Sequence, residues 1–361
     1  MKVITIVGAR PQFVKAAALS RQFQESNITE VIVHTGQHFD KNMSDVFFDE
    51  MEIPKPHYNL NIHGLSHGAM TGQMLEGIEK ILLNEKPDYV MVYGDTNSTI
   101  AGALAAKKLH IKVIHVEAGL RSFNMRMPEE VNRILTDRIS DLLYCPTQTA
   151  IDNLVKEGYE NIDTEYALLG DLMQDTAIFY KEKSDKVSTV INDLGLTKGE
   201  FVLGTIHRAE NTDDETRLKS IVNALNTINK TTKVVVPLHP RTSKILKDKG
   251  IAVEFTIIDP VGYFDMIQLI AECKLVMTDS GGLQKEAYFF NKFCVTLRDE
   301  TEWVELVSNG YNTIVGADGD KIIAAANKYL GKPFHKASEL YGGGKAAQNM
   351  CEHLIQYHNK K

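Results

Sequence analysis

The chain has 361 residues, of which 43% are hydrophobic and 24% charged, and its 40 Lys and Arg against 47 Asp and Glu give a net charge of −7. This composition excludes a disordered chain, a fibrous repeat and a disulfide-stabilised miniprotein, and at roughly 150 residues per domain the length predicts about two domains. The acidic balance argues against a general nucleic-acid or anionic-membrane surface, so any anion must be bound by local features.

The cysteines are far apart in the sequence and form no CxxC pair, so we interpret them as reduced core residues rather than zinc ligands. They are Cys145, Cys273, Cys294 and Cys351. The apolar run after Met1 is too short for a signal peptide, and no later stretch approaches the roughly 20 apolar residues of a membrane span. We therefore expect a cytoplasmic protein that contacts no membrane.

Short β-branched apolar runs alternate with amphipathic stretches along the chain, which is typical of parallel strands covered by helices on both faces of a sheet. In the first half the predicted strands span residues 2–8, 30–36, 89–94, 112–117, 142–146 and 165–170. In the second half they span residues 201–206, 233–238, 254–258, 274–278, 293–297 and 312–315. Six strands followed by six indicate an α/β chain of two doubly wound units, joined near residues 172–200.

Polar residues follow the first predicted strand. Gly8 opens a tight turn, and Arg10 and Lys15 add positive charge at the start of a helix whose first turn contains Pro11. These features suit an anion, and an ordinary strand-to-helix turn with solvated cations is the alternative. The spacing is not GxGxxG, so a nicotinamide dinucleotide site has little support.

Carboxylates follow the third and fourth predicted strands and open a later helix. Asp95 and Glu117 each come directly after a buried apolar run, where desolvation and neighbouring charges can adjust a carboxylate for proton transfer. Glu129 starts a helix between Arg121 and Arg133. Asp95 could equally cap a helix, and Glu129 could merely favour a helix dipole. Three carboxylates with two arginines nevertheless indicate acid/base chemistry.

Two histidines lie at strand exits in the second half of the chain. His207, followed by Arg208, is the stronger functional candidate and His239 the weaker. His115 lies inside a predicted strand, and we interpret it as a core residue.

The strand at 274–278 is followed by Ser280, Gly281 and Gly282, which open a helix. Such a start exposes several backbone N–H groups and suits a diphosphate. Glu286, one turn further on, can accept hydrogen bonds from sugar hydroxyls. P-loop, zincin, hydrolase-elbow and EF-hand spacings do not occur, so neither a metal nor a cofactor is predicted.

The chain resembles the non-hydrolysing UDP-N-acetylglucosamine 2-epimerase family. Eight motifs occur in family order: GARPQFVK (8–15), TGQHFD (35–40), GDTNST (94–99), VEAGLRS (116–122), PEEVNR (128–133), HRAEN (207–211), PLHPRT (237–242) and TDSGGLQKEA (278–287). The resemblance implies the glycosyltransferase-B architecture, in which two Rossmann-like domains face each other across a cleft. The implied domains are 1–173 with the catalytic carboxylates, 174–345 with the UDP site, and 346–361, whose helix (346–358) crosses back to the first domain.

The resemblance also implies inversion at C2 of a UDP-linked 2-acetamido sugar, by anti-elimination of UDP to a glycal and re-addition after protonation from the opposite face. The positions that match the family's catalytic residues are Asp95, Glu117, Glu129 and His207. Which carboxylate removes the proton stays open. The positions that match its nucleotide-binding residues are Arg10, Lys15, Arg133, Ser280, Gly281, Gly282 and Glu286, the last expected on the ribose. The family resemblance also implies that the protein forms a homodimer.

The GARPQF, NMRMPEE and DPVGY segments resemble most the corresponding sequences of the family branch that acts on UDP-2,3-diacetamido-2,3-dideoxy-glucuronate. That substrate carries an extra carboxylate, for which Arg126 is a candidate partner. Some family members have a regulatory UDP-N-acetylglucosamine site near their Gln-His motif, where polar and basic residues are more usual. This chain has Phe39 and Asp40 after its Gln-His pair instead. The alternatives are a hydrolysing epimerase or a glycosyltransferase of the same architecture, and a non-catalytic nucleotide-sugar sensor.

Overall fold

The computed structural model of the protein describes residues 1–37, 48 and 52–360, so positions 38–40 of the TGQHFD motif lie outside the described residues. The chain divides into two compact units. Unit 1 comprises Met1–Thr176 and Glu339–Lys361, and unit 2 comprises Ala177–Ser338. None of the helices in the described part of the chain combines the length and apolar character that a bilayer crossing requires.

Unit 1 is built on a seven-stranded parallel sheet in the order β3-β2-β1-β4-β5-β6-β7. Its strands are β1 (Lys2–Val7), β2 (Thr29–His34), β3 (Tyr58–Asn59), β4 (Tyr89–Tyr93), β5 (Lys112–Val116), β6 (Leu142–Cys145) and β7 (Glu165–Leu168). Its helices are α1 (Arg10–Glu25), α2 (His67–Glu85), α3 (Asn97–Lys108), α4 (Pro128–Ile139), α5 (Gln148–Lys156) and a 3-10 turn at Tyr159–Asn161. Helix α6 (Leu172–Val187) runs from unit 1 into unit 2.

The central strands of unit 1 are covered on both faces, as their unbroken apolar runs predict. Ile6 on β1 and Val92 on β4 are fully buried. Gly102 lets α3 pack closely on them, because a Cβ at this position would lie 3.1 Å from both side chains. Because β1, β4 and β5 are adjacent parallel strands, their carboxyl ends lie side by side at the same end of the sheet.

Unit 2 repeats this design with six parallel strands in the order β10-β9-β8-β11-β12-β13. The strands are β8 (Phe201–Thr205), β9 (Lys233–Pro237), β10 (Thr256–Ile258), β11 (Leu275–Thr278), β12 (Cys294–Thr296) and β13 (Asn312–Ile314). The helices are α7 (Val190–Asp193), α8 (Ala209–Thr212), α9 (Glu215–Asn229), α10 (Pro240–Asp248), α11 (Tyr263–Glu272), α12 (Gly281–Phe289), α13 (Val304–Ser308) and α14 (Gly319–Leu330).

The last helix, α15 (Ala346–Asn359), belongs to unit 1 and packs on α1. Asp175 accepts hydrogen bonds from the amides of Ala346 and Ala347 and so binds the start of α15. Cys351 lies against Ser26, with 3.3 Å between Sγ and Oγ. Burial raises the pKa of Asp175 to about 6, because desolvation outweighs the hydrogen bonds from the helix.

All twelve predicted strands are present within a few residues of their predicted bounds, which confirms the α/β class. The structure adds β3, which the sequence analysis missed. Its two residues carry no apolar run, and they are recognised as the edge strand of the sheet only because they pair with Val33 and His34 on β2. The four cysteines are buried free thiols, as predicted.

Candidate functional site

Glu117 and Lys15 form a buried ion pair at the carboxyl-end edge of the unit 1 sheet. Each side chain is only about a tenth exposed. Glu117 follows β5 directly and has a φ of +67°, in the left-handed region that non-glycine residues rarely occupy. Such strain persists only where the surrounding structure enforces it, and it is concentrated at functional sites. The geometry therefore singles out Glu117 among the predicted carboxylates.

Asp95, directly after β4, pairs with Arg133 from α4. Arg133 also donates to Glu130, with 2.6 Å between Nη1 and Oε2, so the guanidinium bridges two carboxylates. Asn132 donates to the backbone carbonyl of Asp95 at 2.9 Å. Asp95 is thus fixed through both its side chain and its main chain by one face of α4.

Glu130, rather than Glu129, is the buried acid of the PEEVNR motif. Its carboxylate is fully buried and accepts hydrogen bonds from the amides of Ser122 and Phe123 and from the Ser122 hydroxyl. Burial alone would raise the pKa of Glu130, but these hydrogen bonds and Arg133 outweigh it and lower that pKa. The sequence could not distinguish the two acids, because Glu129 and Glu130 lie four and three residues before Arg133 and either spacing lets a helical side chain reach it.

Two other predicted residues of unit 1 are exposed. Glu129 is exposed in the first turn of α4, and Arg10 is exposed at the first position of α1. The structure therefore brings together Asp95 with Arg133 and Glu117 with Lys15. It leaves Glu129 and Arg10 at the surface of the same unit.

His207 and Asp279 form the second cluster, in unit 2, at the ends of the neighbouring strands β8 and β11. The Nδ1 atom of His207 lies 2.9 Å from Oδ1 of Asp279, and the imidazole is 55% exposed. Asp279 is fully buried and also accepts hydrogen bonds from the amide of Arg208 and the side chain of Asn211. Burial would raise the pKa of Asp279, but His207 and these donors outweigh it and lower that pKa.

Asp279 lies in the TDSGGLQKEA motif, but the sequence analysis gave it no role. Its partnership with His207 depends on two strands that pair across about seventy residues of chain, so local spacing contained no signal for it. His239 has a structural role: its Nδ1 accepts a hydrogen bond from the amide of Arg241 and caps α10.

The Ser280–Gly282 segment opens α12 as predicted, with Ser280 as the N-cap. Gly281 is tightly enclosed, because a Cβ there would lie 2.4 Å from Oε1 of Glu302. Trp303 donates from its indole nitrogen to the Gly281 carbonyl at 2.9 Å. Free N–H groups at such a helix start, together with the helix dipole, favour an anion.

Glu286, in the second turn of α12, is buried. Desolvation raises its pKa to about 7, although the neighbouring Lys285 acts to lower it. The ammonium group of Lys285 lies 4.0 Å from the centre of the Trp303 ring. A buried carboxyl whose pKa is raised in this way is a candidate for ligand binding.

Replacing Glu286 by glutamine is expected to stabilise the ligand-free protein at pH 8 by about 2–3 kcal/mol and to change little near pH 5. The pKa of the folded state exceeds the ordinary value of 4.5, so the native state binds the extra proton between about 4.5 and 7. Wild-type stability therefore falls as the pH rises through this window, and the glutamine variant does not share that loss. Urea unfolding at the two pH values measures the difference. Glu200→Gln, at an exposed position of unit 2, is the control, and an equal gain in both variants would contradict the prediction.

The comparisons with known proteins agree on one family. A family model described as UDP-N-acetylglucosamine 2-epimerase matches residues 21–355. A Pseudomonas aeruginosa protein named UDP-2,3-diacetamido-2,3-dideoxy-D-glucuronate 2-epimerase is 55% identical over 359 residues, covering 99% of this chain and 100% of the relative. The UDP-N-acetylglucosamine 2-epimerase of Methanocaldococcus jannaschii is 42% identical, over 98% of this chain and 99% of that protein.

Solved structures show the same similarity in three dimensions. The M. jannaschii UDP-GlcNAc 2-epimerase in complex with UDP-GlcNAc and UDP has a TM-score of 0.83 and 41% identity, covering 99% of this chain and 100% of that one. The Neisseria meningitidis UDP-GlcNAc 2-epimerase bound to UDP-GlcNAc has a TM-score of 0.84 and 31% identity, with the same coverage. The two Rossmann-like units described above are therefore of the glycosyltransferase-B type.

Proposed function

Because this chain belongs to the UDP-N-acetylglucosamine 2-epimerase family, we propose that it inverts C2 of a UDP-linked 2-acetamido sugar without net hydrolysis. Its activity class is that of a UDP-sugar 2-epimerase, an isomerase. The preferred substrate proposed here is the UDP-2,3-diacetamido-2,3-dideoxy-glucuronate, converted to the mannuronate. The observation that carries this choice is the 55% identity to the P. aeruginosa protein of that name, over essentially the full length of both chains.

The proposed reaction removes the C2 proton to a protein base while the bond between C1 and the UDP oxygen breaks, leaving a glycal and UDP. A protein acid then returns a proton to C2 from the opposite face, and UDP adds back to C1. Two acid/base groups are needed, one for each face, and Asp95 and Glu117 on the adjacent strands β4 and β5 support this requirement. Glu129 and His207 are the further catalytic candidates.

Departure of UDP requires stabilisation of the negative charge that develops on the diphosphate. We assign this role to the start of α12 at Ser280, Gly281 and Gly282, whose N–H groups suit an anion. The buried Glu286 is proposed to accept hydrogen bonds from the ribose hydroxyls. The cations of unit 1 that are proposed to bind the nucleotide are Arg10, Lys15 and Arg133.

Incubation with UDP-N-acetylglucosamine and with the diacetamido uronate in deuterated water tests the reaction. The expected result is deuterium at C2 of the intact nucleotide sugar, followed by NMR, in both epimers. Release of UDP and free sugar in stoichiometric yield would instead identify a hydrolysing enzyme. The absence of any turnover with UDP binding preserved would identify a nucleotide-sugar sensor.

The substrate preference is tested by replacing Arg126, an exposed residue between β5 and α4. If its guanidinium binds the C6 carboxylate, Arg126→Ala should lower kcat/KM for the uronate by about 10- to 100-fold, since a hydrogen bond to a charged group contributes about 1.5–3 kcal/mol. Turnover of UDP-N-acetylglucosamine should be unchanged. Arg138→Ala, at an exposed position on α4, is the matched control, and equal losses for both substrates would refute the assignment.

A further inference from the structure

A buried network of charged side chains lies beneath the ends of β4 and β5. His115 and Asp137 are both completely buried, with 2.6 Å between Nδ1 and Oδ1. Arg121 donates to the other oxygen of Asp137 at 2.7 Å and forms a two-point pair with Glu157 at 2.7 and 2.8 Å. Charged groups are stable in such a place only when they are paired and hydrogen-bonded. This network therefore requires a specific arrangement of its members.

The network forms a hydrogen bond to the main chain near each proposed catalytic carboxylate, Asp95 and Glu117. His115 donates from Nε2 to the carbonyl of Gly94, the residue before Asp95, at 2.7 Å. Asp137 accepts from the amide of Gly119, two residues after Glu117, at 3.1 Å. Each ring nitrogen of His115 thus faces an oxygen that can only accept, one from a carbonyl and one from a carboxylate. The imidazole links Asp137 to the turn that carries Asp95.

Both glycines bound by the network, and Glu117 between β5 and Gly119, have left-handed backbone conformations. Gly94, Glu117 and Gly119 all have positive φ, at +62°, +67° and +78°. Two of them are glycines, which adopt this region freely, but Glu117 does so against the preference of an L-residue. The amide of Gly94 also donates to the carbonyl of Val116 at 3.0 Å, which ties the two turns together. Conformations of this kind persist when surrounding contacts over-determine them, and the buried network supplies such contacts.

We propose that His115 and Asp137 are positioning residues for both carboxylates, fixing Asp95 through Gly94 and Glu117 through Gly119. The inference deepens the proposed function and rests on it for the roles of Asp95 and Glu117. The contacts of the network described above reach the main chain of Gly94 and Gly119, beside the two carboxylates. Its loss should therefore slow the chemical step more than it weakens substrate binding.

Asparagine and glutamine at position 115 separate the two hydrogen bonds of the ring. Asparagine retains a donor near the position of Nδ1 and loses the one to Gly94, whereas glutamine reaches the Gly94 carbonyl and loses the bond to Asp137. His115→Asn is expected to lower kcat by about 30- to 100-fold while KM changes by less than about threefold. His115→Gln is expected to recover at least about tenfold of that loss.

The matched control is Asp141→Asn, at the other end of β5. Asp141 accepts from the amide of Val113 at 2.9 Å and pairs with Lys107 at 3.0 Å, so it too supports β5, but far from Gly94 and Gly119. Its replacement should reduce stability with little change in kcat. Equal kcat values for His115→Asn and Asp141→Asn at matched folded fractions would overturn the positioning role.

Crystal structures of His115→Asn and Asp141→Asn test the proposal independently of turnover. His115→Asn loses the bond to Gly94 and keeps the one to Asp137, so the Asp95 carboxylate should leave Arg133 in this variant and should stay in place in Asp141→Asn. An unmoved Asp95 in His115→Asn would overturn the proposal. A wild-type protein without epimerase activity would refute the proposed function instead, and the crystal structures would still test the positioning. If His115→Asn does not fold, the same measurements on His115→Gln apply, with displacement of Gly119 and Glu117 as the expected result.

Discussion

Replacing Asp95 by asparagine is expected to lower kcat for C2 epimerisation by about 10³-fold while UDP binding changes by less than about threefold. The amide has nearly the shape of the carboxylate, but it cannot take up or return a proton. Asparagine can still accept a hydrogen bond from Arg133, so this proposed nucleotide-binding cation keeps a partner and the loss should fall on the chemical step. Steady-state kinetics and calorimetric titration with UDP measure the two quantities.

Glu76→Gln is the control for this experiment. Glu76 pairs with Lys80 on the exposed face of α2, and both side chains are largely solvent-accessible, so the same chemical change there removes only a surface ion pair. We expect its kcat to stay within about twofold of wild type, since an exposed ion pair of this kind has little effect on the rest of the protein. More than a tenth of wild-type turnover in Asp95→Asn would show that Asp95 is not an essential acid or base.

Replacing Gly119 by alanine is expected to reduce the free energy of unfolding by about 4 kcal/mol or more. Gly119 has a φ of +78°, and a Cβ there would lie 2.5 Å from the carbonyl oxygen of Ala150. That carbonyl belongs to α5, whose start is capped by Thr147 and buried, so it cannot move away cheaply. Urea unfolding followed by circular dichroism measures the change, and turnover should fall with it because Glu117 lies in the same turn.

Gly158→Ala separates the conformational cost from the steric one. Gly158 has nearly the same φ, +82°, but a Cβ there would meet no atom within 4 Å. The expected loss at Gly158 is therefore about 1–2 kcal/mol, the ordinary cost of a left-handed L-residue. Equal losses in the two variants would contradict the steric argument for Gly119.

The sequence-based prediction of the fold succeeded where the signal was local. Tyr89–Tyr93 is uniformly apolar and Lys2–Val7 is apolar except at Lys2 and Thr5, and such short runs favour a strand buried on both faces. The prediction missed Tyr58–Asn59, because an edge strand of two partly exposed residues differs from a loop only by its partner. The sequence-based prediction also did not give the order of the strands in each sheet, because strand pairing depends on the whole sheet.

The structure shows which predicted site residues are buried and paired, and their catalytic roles stay predictions. Asp95 and Glu117 were selected because each follows a buried strand, and the structure shows both paired with cations. In PEEVNR the prediction favoured Glu129, whereas the structure buries Glu130 against Arg133. The sequence of the motif does not determine which of the two adjacent acids faces the protein interior. That choice depends on the rotation of α4 against the sheet.

The sequence by itself determined the α/β class, the family and the positions at which polar residues leave the strands, because each depends on local composition or on motif order. Only the tertiary structure decided the pairing of Lys15 with Glu117, of Asp279 with His207, and of His115 with Gly94. Those contacts join residues far apart in the chain, and their geometry follows from strand order, helix rotation and backbone conformations that no local pattern specifies.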